Sequence, residues 1–188
     1  MKKAISMFML ASIVMLFISG CAKKKTDAAA SPAGPTDPQT ATAIFTAFST
    51  VFSQIQLAKS DNPSETITIN QTITSTSGGS CVVTGSMTTS QTGDGGTWNI
   101  TLAWNNYRYT DGGTNDYTLS GQMTYTGSVN STAVTAHFAA PAMTIKGKVA
   151  GTSISETISY GFDENVNMTT GHGSLTGNIA GRSFSYTF

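Results

Sequence analysis

Charge, cysteine and histidine are scarce in this chain of 188 residues: 11% of them are charged, two are Cys and two are His. Globular domains carry about a quarter charged residues, so the depletion is about twofold. The 10 basic and 10 acidic residues cancel, which argues against a nucleic-acid binder, since that class needs a basic stripe to neutralise phosphates. Two cysteines make neither a disulfide scaffold nor a closed four-thiolate metal site. Walker loops, dinucleotide fingerprints and paired-carboxylate motifs are absent after the leader, so neither an enzyme nor a cofactor is expected. What the chain has in abundance is hydroxyl groups, with 31 Thr and 22 Ser. The length suits one domain with a tail.

The N-terminus reads as a targeting segment. Lys2 and Lys3 form a positive start, and Ala4 to Ile18 is almost wholly apolar. That run has signal-peptide length and falls short of the ~20 residues that span a bilayer. It ends in Ile18-Ser19-Gly20-Cys21, an aliphatic residue and two small ones before a cysteine. This resembles the lipobox of bacterial lipoproteins. The resemblance implies that residues 1–20 are removed, that Cys21 carries a diacylglyceryl group and that its new amino group is acylated. Several acyl chains give stable anchoring where one is marginal. The resemblance also implies an outer-membrane destination, because the following residue is Ala22 rather than Asp. Lys23, Lys24 and Lys25 would then lie at the headgroups or simply open a solvated linker.

Residues 21–40 are mostly Ala, Ser, Pro, Gly, Thr and Asp, with Pro32, Pro35 and Pro38 evenly spaced. Without an apolar period the stretch cannot bury a core and is expected to be a disordered tether. Its roughly 19 residues beyond the cysteine reach about 25 Å as a coil. A single domain over 41–188 should follow. Ile44, Phe45, Phe48, Val51, Phe52 and Ile55 form one helical stripe, which predicts an amphipathic helix over 41–59. Thr40 or Thr42 is its expected cap and Asn62-Pro63 its stop. The polar face carries Thr, Ser and Gln instead of the basic residues of a membrane-surface helix. Docking on the apolar face of a sheet is therefore favoured.

From 64 to 188 the period becomes two. Ile67, Ile69 and Ile73 alternate with Thr, and the same alternation places Trp98, Ile100, Leu102 and Trp104 together, and likewise Ile158, Tyr160 and Phe162. The pattern predicts an all-β, antiparallel meander of about nine strands. Gly78-Gly79, Asp94-Gly95-Gly96, Asp111-Gly112-Gly113, Ala140-Pro141 and Ala180-Gly181 mark expected turns. Gly85, Gly121, Gly147 and Gly177 each sit within an apolar-x-Gly-x-apolar repeat, 36, 26 and 30 residues apart and on the apolar parity. Four costly mid-strand glycines call for strong curvature or for room beside something packed on the sheet. A strongly curved sheet or barrel around the helix satisfies both. Parity flips between Trp104 and Tyr107, and again around Gly171-His172-Gly173, are expected to be bulges.

Apart from Cys21, the candidate sites are slight. Cys81 shares the apolar parity and is expected to be a buried small hydrophobe rather than a reactive thiol. His137 points outward, His172 lies in a Gly-rich bend, and no carboxylate stands at ligand spacing, so no metal site is expected. Asp111 to Asp116 gathers two carboxylates and an amide, but it departs from the EF-hand pattern and suits a hairpin turn. Glu156 is the anomaly, a charge on the apolar parity between Ile154 and Ile158.

Three functions compete at this level. The leading expectation is a lipid-anchored, monomeric envelope lipoprotein with a non-enzymatic β domain in a structural or surface-interaction role. Its partners would be membrane lipid through acylated Cys21 and an envelope protein. The second is a carrier of an apolar ligand such as lipid, which needs a cavity. The third is an outer-membrane-spanning β-barrel, because Phe184, Tyr186 and Phe188 resemble the terminal signal of that class.

Overall fold

A computed structural model of the chain describes residues 37–57, 65–90, 95–180 and 182–187. One helix, α1 (Asp37–Phe52), precedes eight strands: β1 (Thr66–Thr74), β2 (Ser80–Thr89), β3 (Gly96–Thr110), β4 (Asp116–Val129), β5 (Ala133–Val149), β6 (Thr152–Asn167), β7 (Gly173–Ile179) and β8 (Arg182–Thr187). Each strand pairs antiparallel with the next in sequence, and the sheet runs β1 to β8. It is an unclosed meander, with β1 and β8 as its ends. Among the described residues no helix is long and apolar enough to cross a membrane.

The helix begins before the expected Ala41, so 37–40, assigned to the tether from composition, are helical. Pro38 fits there because the first-turn amide positions have no intrahelical partner to lose. Thr40, an expected cap, lies inside the helix and is buried. The helix also stops at Phe52, short of Lys59. Gln54 N bonds to the Val51 carbonyl at 3.0 Å and Ile55 N to the Phe52 carbonyl at 3.2 Å. These tighter bonds, with Ser53 Oγ and Gln54 Nε2 both donating to the Thr50 carbonyl, satisfy the exposed end. The expected Asn62-Pro63 stop lies outside the described residues.

All six residues of the apolar stripe are buried in one cluster with the inward side chains of β1 to β7. Phe45 stacks on Phe162 with ring centroids 5.0 Å apart. Phe48 meets Tyr125 and Phe138 edge-on at 5.3 and 5.5 Å. Tyr117 Oη donates to the Ala43 carbonyl at 2.6 Å. After the helix, Gln56 N donates to Gln71 Oε1 at 2.9 Å, and the Gln71 amide returns a bond to the Gln56 carbonyl. On the other face Thr46 and Thr50 back-bond to the carbonyls four residues earlier, which satisfies hydroxyls in a helix interior. Eight strands spaced about 4.8 Å apart would span about 34 Å if flat, and a helix is about 10 Å across. One helix therefore shares a core with β1 and β7 only because the sheet curls around it.

Eight strands stand where about nine were expected, and the reason is local. Ala140-Pro141 looks like a turn but is a bulge inside the continuous strand β5. Its register shifts between Ala140 and Met143 against β6, with Ala140 and Met143 buried and Pro141 and Ala142 exposed. Proline is tolerated within a sheet at a bulge because no ladder bond is needed from it there. The parity flip at Trp104/Tyr107 is a bulge as expected, with Ser120 Oγ bridging the backbone and side chain of Asn106. The flip at Gly171-His172-Gly173 is instead the β6–β7 hairpin, a turn and not a bulge.

The repeated glycines serve curvature. Gly85, Gly121 and Gly147 have φ of 140°, 127° and 133°, a region that side-chain-bearing residues rarely enter. A Cβ on Gly85 would lie 2.1 Å from the Asn99 carbonyl oxygen, and one on Gly147 would lie 2.2 Å from that of Asp116. The obstacle is the backbone of the neighbouring strand, not the helix. Of the two needs inferred from the repeat, coiling is the one these positions meet.

Candidate functional site

The sequence-derived sites disperse over the fold. Cys21 lies outside the described residues. Cys81 on β2 is fully buried beside the core, and burial pushes its thiol up to about 12. A thiol so far from ionising is a poor nucleophile at neutral pH, in line with a packing role. His137 faces outward, as expected, but it has a carboxylate partner that linear spacing hides. Asp163 is its cross-strand neighbour, and Nδ1 to Oδ1 is 2.7 Å. Both side chains are at least half exposed, so the pair contributes little to stability. His172 sits in the turn after β6, its N–H donating to Thr170 Oγ1 at 3.3 Å. The side chains of Phe184 and Tyr186, and all of Phe188, lie outside the described residues.

The Asp111–Asp116 loop is a hairpin turn with its carboxylates already engaged. Asp111 Oδ1 accepts from the amides of Gly113 and Asn115 at 2.8 and 3.0 Å, and its Oδ2 accepts from Asn115 Nδ2 at 2.7 Å. The Asn115 side chain first, then these backbone donors, hold the Asp111 carboxyl below its ordinary range. Asp116 takes a two-pronged bond from Arg108, both contacts 2.7 Å. No group of three metal-capable side chains occurs among the described residues.

Sequence reasoning overlooked Glu164. It lies on β6 in the parity of Ile158, Tyr160 and Phe162, so alternation alone marks it as inward, and only its position beside outward Asp163 disguises it. Glu164 is 3% exposed. Its Oε1 has no hydrogen-bond partner among the described residues. Burial pushes its carboxyl up to about 7. The charge of Glu164 in turn adds to the burial that raises the Tyr125 phenol.

The pairing registers place Glu164 on one row across the concave face. Trp98 of β3 is opposite Gly127 of β4, Gly127 opposite Ala136 of β5, Ala136 opposite Glu164, and Glu164 opposite Leu175 of β7. Trp98 lies over Gly127: a Cβ there would be 2.3 Å from Trp98 Cζ2 and 2.6 Å from Cε2. Trp98 also packs on Tyr125 with centroids 5.4 Å apart. The indole Nε1 of Trp98 lacks a partner, as does that of Trp104. Buried polar atoms of native proteins are nearly always paired, so a donor and an acceptor left open on one row define the candidate site.

Comparison of the chain with protein-family models, with curated proteins and with solved structures gave no match.

Proposed function

We propose that the protein is a membrane-anchored cell-envelope lipoprotein, held through acylated Cys21, whose non-enzymatic β domain acts in structure or surface interaction. The observation that carries this reading is the leader: a basic start, an apolar run of signal length and Ile18-Ser19-Gly20-Cys21 in register. The domain supports it by the way its surface is divided. The apolar parity of the strands is used in the core around α1, while the outward parity presents residues such as Thr97, Thr118, Thr135, Ser155 and Asn165. A spanning barrel needs an outward apolar band instead. Attachment then falls to the acyl chains, and the Thr/Ser surface stays in water for contact with partners.

Metabolic labelling tests the anchor. Palmitate is expected on the wild type and not on Cys21→Ser, and the variant should leave the membrane as a soluble monomer. Absence of label on the wild type overturns lipidation. A Cys21→Ser chain that stays in carbonate-washed membranes and shifts on heating in gels would replace this reading with the spanning barrel.

A further inference from the structure

The row from Trp98 to Glu164 has an unfinished chemistry that the anchoring proposal does not use and on which it does not depend. Between the two residues the concave face presents only Gly127 and Ala136, so no side chain longer than a methyl group separates them along the row. The edge of the indole that carries Nε1 lies over Gly127, since Cε2 is the atom bonded to that nitrogen. Trp98 Nε1 can only donate, whereas ionised Glu164 can only accept. Trp98 Nε1 and Glu164 Oε1 have no hydrogen-bond partner among the described residues. Leaving such groups dry and unpaired is costly, and a carboxylate more so than an amide.

A single group that accepts from the indole and donates to the carboxylate completes both, and a hydroxyl is the simplest that does. The surroundings are apolar: Met87 stands beside Trp98 on β2, Tyr125 and Phe162 lie one inward position along their strands, and Leu175 flanks Glu164. Toward the hairpin end of the sheet, Val129 and Val166 are only partly buried and pack against the same core. We infer that the strip between Trp98 and Glu164 binds an apolar molecule carrying one hydroxyl, such as a long-chain alcohol, its O–H donating to Glu164 Oε1 and its oxygen accepting from Trp98 Nε1.

The two tryptophans of the chain make the test direct. Full-length Cys21→Ser protein is titrated with 1-decanol and, as the hydroxyl-free control, with decane, following tryptophan emission. Saturable one-to-one binding of decanol is expected, at least about tenfold tighter than decane, in keeping with the energy of a charge-assisted hydrogen bond. Glu164→Leu should reduce decanol to the decane level. Glu164→Gln, whose amide has nearly the same size and can still accept, should keep decanol within about threefold of wild type, and it guards against a variant that merely fails to fold. Equal binding of decanol and decane, unchanged decanol affinity in Glu164→Leu, or no saturable change would overturn the site and leave a buried water as the bridging group. Loss of the palmitate label would sink the anchor without touching this result.

Discussion

Glu156 and Glu164 are the same residue type on the same strand and the same face of the sheet, yet one is exposed and the other buried. The difference lies in their neighbours. Strand β7 pairs with β6 only over Tyr160 to Val166, so Glu164 stands between Ala136 and Leu175 under the concave core. Glu156 pairs with Ile145 on one side and has no strand on the other among the described residues. It lies on an open edge and reaches water. The apolar parity that makes Glu156 look like an error is a known device at such an edge: a charge facing inward discourages another strand from adding there. One face of one strand thus carries a protective charge at its open end and an unpaired one at its closed end.

The helix covers the core that both ends of the strand border, and removing its anchor should have the largest effect. Phe48→Ala, which strips a ring packed on Phe52, Tyr125 and Phe138, should cost about 3–5 kcal/mol, read as a lower midpoint in denaturant. Next comes the titration of Glu164. Its carboxyl is raised from 4.5 to about 7 in the folded protein. A raised folded value means that its favourable contribution is full below the ordinary carboxylate value. It is lost as pH rises through the window from 4.5 to about 7. Above that window the penalty is about 3 kcal/mol. Glu164→Gln should therefore raise the thermal midpoint at pH 8 and leave it nearly unchanged at pH 4. A midpoint difference that does not depend on pH would show that burial is not what distinguishes this glutamate.

Smaller effects belong to the open surface. Arg108→Ala breaks an exposed pair with Asp116 and should lower the thermal midpoint only slightly, an effect that diminishes further in high salt. Glu156→Val should change stability by no more than about 0.5 kcal/mol. It should nevertheless promote self-association at the β6 edge, seen by sedimentation. A variant that stays monomeric at high concentration would deprive Glu156 of its protective role.

Much of this architecture is legible from alternation. Every residue of the helical stripe, and the inward sets such as Trp98, Ile100, Leu102 and Trp104, follow from period alone, because burial on one face leaves no other arrangement of such a pattern. The Trp104/Tyr107 bulge is also visible as a change of parity. The β5 bulge is not, since Ala140-Pro141 has the same composition in a turn as in a bulge, and only pairing on both sides distinguishes them. The Glu164 site escaped for a related reason. Its parity is written in the chain, but its pairing row with Gly127 and Trp98 joins residues far apart in sequence. The His137–Asp163 contact is hidden in the same way.

The sequence by itself determined the period-two strands and the helical stripe, which are patterns between near neighbours along the chain. The tertiary structure decided that the sheet stays open, that the glycines are used to coil it, and that two glutamates of one strand have different surroundings. Those outcomes depend on which strand lies beside which and for how many residues. That is a matter of long-range pairing and burial, and local alternation carries no record of it.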